Sequence, residues 1–437
     1  MPVRANEKQV TSQPHGHILT NVNVWSPDSR RIVYDIRSDP SGSSFDGSRI
    51  ELVDIETQEV SLLYQSRKGV HCGVATYDPN YFRSVFIIGP ENPTPEYSYN
   101  AARREGVFVC EIFPGMAVNL DGRDLVPPFT PGLHRGGTHV HVWSPDSQLV
   151  SFTYEDDFLS TARPGSEGNL RGVGVALIGH PACTPRTHPR NVSGTSFSVL
   201  LTKLHDQPRP GSDEICKAFE EAWVGQKGYR KADGTWRQYA LAFQGNVITS
   251  QGETISEVFL VDLPDDLKKA GPNGPLCGTE TQRPQPPLGT IQRRLTFTAN
   301  RRYPGIQGPR HWLRSSPDGH RIAFLMRDDE GIIQLWTVSP LGGEPQQLTH
   351  NSQDIASAFT WSPDGQRIAH VMDGSICVTD TTSGKTSRLT EKAPAETEPR
   401  PEACVISPDG SKIAYVRPVL AGDHYWNQIF ICDVGTY

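Results

Sequence analysis

The stretch VWSPDSQLVSFTY at residues 142–154 decides the fold, because near copies of it recur along the whole chain. Each copy reads as a short apolar strand, a tight Ser-Pro-Asp-Gly or Ser-Pro-Asp-Ser turn, and a second strand with alternating apolar residues. Proline presets φ for the turn, aspartate caps it through its side chain, and glycine tolerates a positive φ. The other copies are found at 24–36, 314–326, 360–372 and 405–417, with a degenerate one at 76–88.

Two further strands follow in most copies. IQLWTV at 333–338 has the pattern of a third strand, and QQLTH at 346–350 ends a fourth with a Leu-Thr signature. Four short antiparallel strands per repeat are typical of a β-propeller blade. Six repeats are visible, and the long gap between Pro145 and Pro317 leaves room for one more. The sequence therefore predicts an all-β, seven-bladed propeller. Two separate β-sandwich domains are the alternative, which the shared turn register disfavours.

The hidden fourth blade lacks the turn signature, and we expect it to begin with TSFSVLLTK at 195–203. Beyond that strand, SDEICKAFEEAWVG at 212–225 carries apolar residues at helical spacing. This pattern predicts a helical insertion over 204–236 in the fourth blade, lying across one face of the disc.

The two ends of the chain are predicted to meet. The last repeat is one strand short, and KQVTS at 8–12 looks like the fourth-strand signature of the other repeats. We therefore expect residues 7–12 to complete the last blade, which would remove the open edges of the ring. On this interpretation residues 1–437 form a single propeller domain.

Composition and charge exclude several classes of function. The formal net charge of −7 argues against a protein that tracks nucleic-acid phosphates, and no apolar run is long enough to cross a membrane. The chain has no phosphate-binding glycine motif and no dinucleotide fingerprint, so no nucleotide cofactor is expected. The first 17 residues lack the apolar core of a secretory signal, and the eight cysteines are scattered. We expect a cytoplasmic protein with reduced thiols.

Histidines concentrate at the starts of the predicted inner strands. When the repeats are aligned on their turn proline, His139 and His311 stand six residues before it and His141 stands four before it. Residues two apart on a strand face the same side, so these three are predicted to hold one divalent metal ion, Mn, Zn or Fe. His17 and His71 lie slightly upstream, on loops where binding sites are commonly built. Hydrogen bonding between neighbouring blades is the alternative role for all five.

Two arginines accompany these histidines. Arg135 lies in LHRGGTH and Arg310 in GPRHW. A guanidinium binds a carboxylate through two parallel hydrogen bonds, so both are predicted to bind an anionic sugar or another small acidic ligand at the rim. Ion pairs with loop carboxylates are the alternative. Tryptophans near the turns are expected to pack between blades rather than to stack on sugars; they are Trp25, Trp143, Trp312 and Trp361.

The repeats resemble the TolB-like class of β-propellers, and the resemblance covers at least six of the seven blades. Longer segments are similar to the bacterial YidR-like family of unknown function along nearly the whole chain. These segments are HILTNVNVWSPDS (17–29), RGGTHVHVWSPDS (135–147), GSDEI (211–215), EEAWVG (220–225), CGTET (277–281), RRLTFT (293–298) and IAFLMRDD (322–329). The resemblance implies the fold and assigns no activity.

A wider resemblance is to oligogalacturonate lyase, a seven-bladed propeller whose central metal is held by histidines, including a His-x-His pair just before a Ser-Pro-Asp-Gly turn. Here His139-Val140-His141 lies just before such a turn. In that family the lone partner histidine precedes the pair, whereas His311 follows it. The resemblance implies a metal-dependent lyase that cleaves a uronate-containing oligosaccharide by β-elimination, with His71 or His17 as the base.

Two other functions stay open on the residues alone. A TolB-type propeller could act without catalysis, as a scaffold that presents one face to a protein partner or a ligand. A hydrolase or epimerase acting on sugars could use the same histidines and arginines. The concentration of histidines at homologous strand starts favours an enzyme.

Overall fold

The computed structural model describes residues 6–39, 42–162, 170–309 and 312–435. Over these residues the chain forms seven four-stranded antiparallel sheets, arranged as the blades of a propeller, and one two-stranded antiparallel hairpin made of Tyr229–Arg230 and Trp236–Arg237. This confirms the all-β, seven-bladed fold that the turn repeats predict. No helix in the described ranges is long and apolar enough to cross a membrane.

In blades one to four the strands follow chain order from the inner to the outer position. Blade one contains Gly16–Ile18, Arg31–Arg37, Arg49–Asp54 and Val60–Gln65. Blade two contains His71–Tyr77, Arg83–Gly89, Glu105–Cys110 and Val118–Asn119. Blade three contains Gly137–Trp143, Leu149–Glu155, Arg171–Ala182 and Gly194–Leu200. Blade four contains Lys217–Trp223, Ala240–Ile248, Thr254–Asp262 and Ile291–Arg294.

The remaining blades and the short helices complete the fold. Blade five contains Arg314–Ser315, Ile322–Arg327, Ile333–Val338 and Gln346–Gln347. Blade six contains Thr360–Trp361, Arg367–Met372, Ser375–Asp380 and Thr386–Arg388. Blade seven contains Cys404–Ile406, Lys412–Ala421, His424–Asp433 and, outermost, Glu7–Gln9. An α-helix spans Asp157–Ala162, and 3-10 turns span Ala101–Arg103 and Ala395–Thr397.

The repeated turns show why the signature needs its residue types. In blade one the Ser26 hydroxyl donates to Asp28 at 2.5 Å, and Asp28 accepts the backbone N–H of Arg30 at 3.2 Å. The fourth turn residue takes a left-handed backbone, with φ of +60° at Ser29 and +71° at Gly365 in blade six. The side-chain hydrogen bonds therefore explain why the signature has serine and aspartate at these positions. The positive φ explains why glycine is favoured at the fourth position.

Tryptophans beside the turns join neighbouring blades. The indole N–H of Trp25 in blade one donates to the carbonyl of Val405 in blade seven at 2.9 Å. The indole N–H of Trp361 in blade six donates to the carbonyl of Arg314 in blade five at 3.1 Å. Both rings are buried, so they bury apolar surface and satisfy their N–H groups at once. These two side chains have the packing role expected from the sequence.

The apolar core lies between the blades. Val33 and Ile50 of blade one pack with Cys72 and Phe86 of blade two in one buried cluster. Similar clusters join blade three to blade four and blade four to blade five. Because each blade buries its apolar faces against its neighbours, the stability of every blade depends on the closed ring.

The N-terminal strand closes the ring. Glu7–Gln9 pairs antiparallel with the third strand of blade seven. Just beyond it, the N–H of Val10 donates to the Ile429 carbonyl at 2.9 Å. This is the place that the sequence predicts for residues 7–12. The outer edge of blade seven is thus formed by a strand of only three residues, and so short an edge offers little to pair with another chain.

Blade four differs from its prediction. Its inner strand is Lys217–Trp223, so the helix expected at 212–225 and the helical insertion over 204–236 are wrong. The segment 195–203, expected to open this blade, instead supplies the outer strand Gly194–Leu200 of blade three.

The blade-four strand is buried on both faces and contains a β-bulge, and together these give it a helix-like apolar spacing. At Glu220, φ is +56° and the register shifts by one residue. The buried side chains Ile215, Ala218 and Ala222 recur at intervals of three and four, like those on one face of a helix, although the bulge puts Ala218 and Ala222 on opposite faces of the sheet. A bulged strand and an amphipathic helix share this pattern.

The propeller has two distinct faces. The Ser-Pro-Asp turns lie on one, here called the lower face, where a cavity of about 540 Å³ opens at the axis. Loops that lead into the inner strands, and loops between second and third strands, lie on the opposite, upper face. Between the faces Arg314 of blade five reaches blade one, where it donates to the backbone carbonyl of Asn21 at 3.2 Å.

Candidate functional site

A group of aromatic and cationic side chains lies on the upper face over blades one and two. Phe45 and Tyr99 come from loops between second and third strands, and their rings stack with centroids 5.5 Å apart. The guanidinium of Arg37 lies 4.9 Å from the Phe45 ring, and that of Arg104 lies 4.6 Å from it. Arg104 also donates to the Tyr99 hydroxyl at 2.8 Å. Two cations thus share one aromatic platform.

Arg104 extends this group into blade three through His139. One of its terminal N–H groups donates to Nδ1 of His139, with 3.2 Å between the nitrogens. A guanidinium has no acceptor, so Nδ1 is the unprotonated nitrogen and Nε2 carries the hydrogen. Nε2 lies 3.7 Å from Oε1 of Glu155. The imidazole is therefore held in one tautomer.

Three cationic side chains lie near His139, together with the carboxylate of Glu155. Burial and the charges of Arg104 and Arg171 hold the pKa of His139 well below its usual value, and Lys217 adds to this effect. Burial and Arg171 also lower the pKa of Lys217. Arg171 pairs with Glu155, whereas Arg104 and Lys217 form no ion pair within the described parts of the chain. We call Arg104, His139, Arg171 and Lys217 the cationic cluster.

This cluster suits an anion better than a metal ion. Nδ1 of His139 already accepts from Arg104 and Nε2 carries the hydrogen, so neither nitrogen offers a free lone pair. Arg104 and Lys217, whose charges no ion pair balances within the described residues, would also repel a divalent ion. The geometry therefore disfavours the metal role predicted for His139 and favours a carboxylate or another acidic group.

His141 faces a different environment from His139. A β-bulge at Val140, where φ is +58°, shifts the register between the two histidines. Nε2 of His141 lies 3.3 Å from Asp121 and 3.1 Å from Thr138. Regular alternation of side chains along the strand predicted a common metal ion for the two histidines. The bulge interrupts this alternation, and the two side chains have separate partners.

Arg310 and His311 lie outside the described residues, so their roles stay predictions. The residues just before them line an upper-face cleft of about 680 Å³ that extends over blades five, six and seven. Arg327 and Arg400 line the same cleft. Its volume is in the range of small-molecule sites.

Arg135 has a structural position instead of the predicted place on the rim. Its side chain is 1% exposed. Its Nε donates to Asp156 at 2.9 Å, and its terminal nitrogens donate to the carbonyls of Thr279 and Gln282. The expectation that Arg135 binds a ligand is wrong, because the guanidinium is buried and all three of its nitrogens already bond to the protein.

His71 lies at the margin of the cationic cluster. It begins the inner strand of blade two, and its half-buried ring meets Tyr99 edge-on with centroids 5.2 Å apart. Tyr99 in turn accepts a hydrogen bond from Arg104. His71 and the cationic cluster therefore share a neighbour.

His17, the other candidate base, lies in blade one beside the closing seam. It is fully buried, and Nδ1 lies 2.8 Å from the carbonyl oxygen of Asn427 in blade seven. Burial and the neighbouring His15 lower the pKa of His17 to about 4. Its role as a base that meets substrate is wrong, because no part of the ring reaches the surface.

His17 instead belongs to a group with metal-ligand spacing. Ligand atoms of His15, His17 and Glu51 all lie within 4.8 Å of one another, and in the described part of the chain this is the one such group of three. His15-Gly16-His17 has the same His-x-His spacing that singles out the pair in blade three, so the sequence did contain its signal. The sequence contains no comparable signal for Phe45 and Tyr99, because these residues lie in loops without a repeat pattern.

Comparisons with known proteins give the family and the fold. Residues 71–192 match a family described as protein of unknown function, DUF3748. Among solved structures, the chain is similar to oligogalacturonate lyase in complex with manganese, with a TM-score of 0.54 and 12% identity over 100% of this chain and 97% of that one. An oligogalacturonate lyase from Vibrio parahaemolyticus gives a TM-score of 0.50 and 10% identity over 99% and 98%. Likeness at such low identity shows the fold alone.

A stronger similarity runs along nearly the whole chain. The uncharacterized protein YidR of Escherichia coli (strain K12) is 47% identical over 413 residues, which cover 94% of each chain. With that identity over almost the full length of both proteins, this chain belongs to the YidR family.

Proposed function

We propose that the protein is an enzyme that cleaves an acidic carbohydrate by β-elimination, with the cationic cluster as its binding site. The observation that carries the proposal is Arg104, an upper-face guanidinium whose bonded partners are a tyrosine hydroxyl and a neutral imidazole. The whole chain has a net charge of −7, so the charge of this cluster is opposite to the protein's average. The substrate class, a uronate-containing oligosaccharide, comes from the name of the structurally similar lyase.

The cluster has the groups that the first step of an elimination needs. Arg104, Arg171 and Lys217 would bind the carboxylate of a uronate, and their charges would acidify the proton on the adjacent carbon. A base removes that proton, the bond from the next carbon to the glycosidic oxygen breaks, and a carbon–carbon double bond forms. The departing oxygen then takes up a proton.

His71 is the base in this proposal. Its ring is half-buried and lies against Tyr99, which contacts Arg104. A carboxylate bound by Arg104 would thus place the adjacent carbon toward the same side as His71. A half-buried imidazole can act as a general base toward a bound substrate.

A divalent metal is suggested by the manganese complex of the similar lyase. Within the described residues the donor set that fits such an ion is His15, His17 and Glu51, whereas the nitrogens of His139 are occupied. A metal ion bound by these three residues would supply a Lewis acid. Carboxylate binding is assigned to the cationic cluster alone.

Binding without catalysis is the second candidate function. An exposed apolar patch in blade two favours it, because Ile112, Phe113 and Met116 are 78%, 58% and 65% exposed. Tyr81 and Phe82 of the same blade are also exposed. Grouped apolar side chains of this kind mark interaction surfaces. Such a scaffold would present this patch to a protein partner.

The test is incubation with a galacturonate oligomer, followed by the ultraviolet absorbance of the unsaturated product. We expect product with the wild type, and a rate at least about 100-fold lower with His71→Ala or Arg104→Ala. His320→Ala should keep full activity, because this histidine is exposed in a lower-face turn. A wild type that binds the oligomer without forming product would favour the scaffold, and one that neither binds nor cleaves it would contradict the proposal.

We also propose a cytoplasmic location. All eight cysteines are free, which suits a reducing compartment. Thiol titration of denatured protein, alkylated without reductant, should return close to eight free groups. Two or more disulfides would contradict this location.

A further inference from the structure

We propose that His15, His17 and Glu51 form a binding site for one divalent transition-metal ion at the seam of the ring, and that the ion stabilises the closed propeller. The site lies where the chain passes from the closing strand Glu7–Gln9 to the inner strand Gly16–Ile18 of blade one. It is separate from the cationic cluster and does not depend on the lyase function.

The three side chains already have nearly the spacing that an ion requires. Nε2 of His15 lies 3.7 Å from Oε2 of Glu51, and two ligands of a tetrahedral ion with bonds of about 2.1 Å lie about 3.4 Å apart. The rings of His15 and His17 stack with centroids 4.6 Å apart and planes inclined by 22°. Small rotations of the two rings would bring their nitrogens toward one point.

His17 is prepared to act as a ligand. Its Nδ1 lies 2.8 Å from the carbonyl oxygen of Asn427, and a carbonyl can only accept, so Nδ1 carries the hydrogen and Nε2 keeps a free lone pair. Metal-binding histidines commonly donate their other N–H to a carbonyl in this way. Nε2 of His17 is buried and has no hydrogen-bond partner within the described residues. This nitrogen therefore has the free lone pair that a metal ion requires.

Glu51 is held in position beside the two histidines. The Tyr34 hydroxyl donates to its Oε2 at 2.9 Å, and Arg49 lies 3.2 Å from its Oε1. The carboxylate is buried, whereas the side chain of His15 is 24% exposed. An ion can therefore enter past His15 and meet a negative charge that is already in place.

The donor types select the class of metal. Ca²⁺ and Mg²⁺ prefer oxygen ligands throughout. Two imidazoles and one carboxylate with open positions are typical of Zn²⁺ sites and of non-haem Fe²⁺ sites. The geometry points to an ion of this class, for which Zn²⁺ is the practical probe.

An ion at this place would connect three parts of the ring. His15 and His17 lie on the segment that leaves the closing strand, Glu51 lies on the third strand of blade one, and His17 bonds to Asn427 of blade seven. An ion that binds only the closed ring stabilises it by mass action. The site would therefore support the closure where the two chain ends meet.

The test uses full-length protein without a histidine tag, freed of metal with a chelator and titrated with ZnCl₂. We expect calorimetry to show one Zn²⁺ per chain, and the melting temperature to rise by about 3 °C or more at a concentration 100-fold above the Kd. His15→Ala and Glu51→Gln should lose both effects. Because His15 is partly exposed, His15→Ala should melt close to the metal-free wild type, which separates ion binding from folding.

His139→Ala is the matched control and should bind Zn²⁺ like the wild type. Binding that is lost in His139→Ala and kept in His15→Ala would overturn the proposal, since the ion would then belong to blade three. A wild type that binds no Zn²⁺ would overturn it as well. Neither measurement uses lyase activity, so failure of the metal site is distinguishable from failure of the proposed function.

Discussion

Arg104 and His139 meet across the boundary between blades two and three, with 3.2 Å between a guanidinium nitrogen and Nδ1 of the imidazole. The hydrogen bond fixes the tautomer of the ring, and burial together with Arg104 and Arg171 lowers its pKa. The imidazole thus adds no charge of its own at neutral pH, and the arginines supply the positive potential. A potential of this sign on an acidic protein attracts acidic ligands to one place.

Replacing Arg104 by alanine should raise the pKa of His139, because one source of repulsion against the protonated ring is removed. Burial and Arg171 remain, so the pKa should stay below the usual value for histidine. Titration of the His139 ring protons by NMR measures the change. Arg30→Ala, at an exposed position near a lower-face turn, should leave the titration unaltered. Identical titration curves in wild type and Arg104→Ala would refute the coupling.

Arg135→Ala should destabilise the fold by about 3 kcal/mol, because it leaves the buried Asp156 carboxylate without its partner. The free energy of unfolding in urea measures this. Arg30→Ala breaks an exposed ion pair with Asp54 and should leave the unfolding midpoint unchanged. If Arg135→Ala unfolded like the wild type but lost affinity for acidic ligands, Arg135 would belong to the binding site after all.

The histidine pattern shows what limits a site prediction from sequence. Alternation along a strand predicts which residues share a side of the sheet. One extra residue in the strand reverses the sides of all the residues that follow it. Val140 provides such a bulge with φ of +58° although it is not a glycine, so nothing in the sequence marks it. The sequence therefore identifies His139 and His141 as candidate site residues but does not predict which way their side chains point. Arg104 and Tyr99 join the site through tertiary packing alone.

Deleting residues 2–12 should cause aggregation or a large fall in melting temperature. The deletion removes the closing strand Glu7–Gln9 and the bond from Val10 to Ile429, and it exposes the third strand of blade seven as an edge. Deleting only residues 2–5, which precede the strand, is the control and should have little effect. The closure mechanism would be wrong if the longer deletion melted like the full chain.

Glu221→Gln should stabilise the protein increasingly as the pH rises. Glu221 is 1% exposed, and burial raises its pKa to about 7 from an ordinary 4.5, against hydrogen bonds from Thr153 and Ser151. The folded protein therefore holds the proton more tightly than the unfolded chain. The contribution of Glu221 to the free energy of unfolding is therefore greatest below about pH 4.5 and decreases as the pH rises toward about 7. Above that pH the contribution is lower by up to about 3 kcal/mol.

Urea unfolding of the wild type and Glu221→Gln at about pH 5 and about pH 8 checks this prediction. The difference between the two proteins should shift in favour of the variant at the higher pH. Glu253→Gln, at an exposed turn, should show the same difference at both values. A pH-independent difference for Glu221→Gln would show that the carboxyl ionises normally in the fold.

The fold itself was predictable because its signal is local. Each Ser-Pro-Asp turn is specified by bonds within a few residues, as between Ser26 and Asp28, so its copies identify the blades independently of the rest of the chain. The inner strand of blade four lacks that turn and contains the bulge at Glu220. Its apolar spacing then resembled a helix, and only pairing with neighbouring strands decides between the two.

Calorimetric titration with a galacturonate oligomer, and with a neutral galactose oligomer of equal length, tests most directly whether the cationic cluster binds a carboxylate. The wild type should bind the charged oligomer and not the neutral one, and added salt should weaken that binding. Arg104→Ala should lower the affinity at least about tenfold, as expected for loss of a charge-assisted hydrogen bond. Equal affinity for the two oligomers, or unchanged affinity in Arg104→Ala, would contradict the assignment of this cluster as the site.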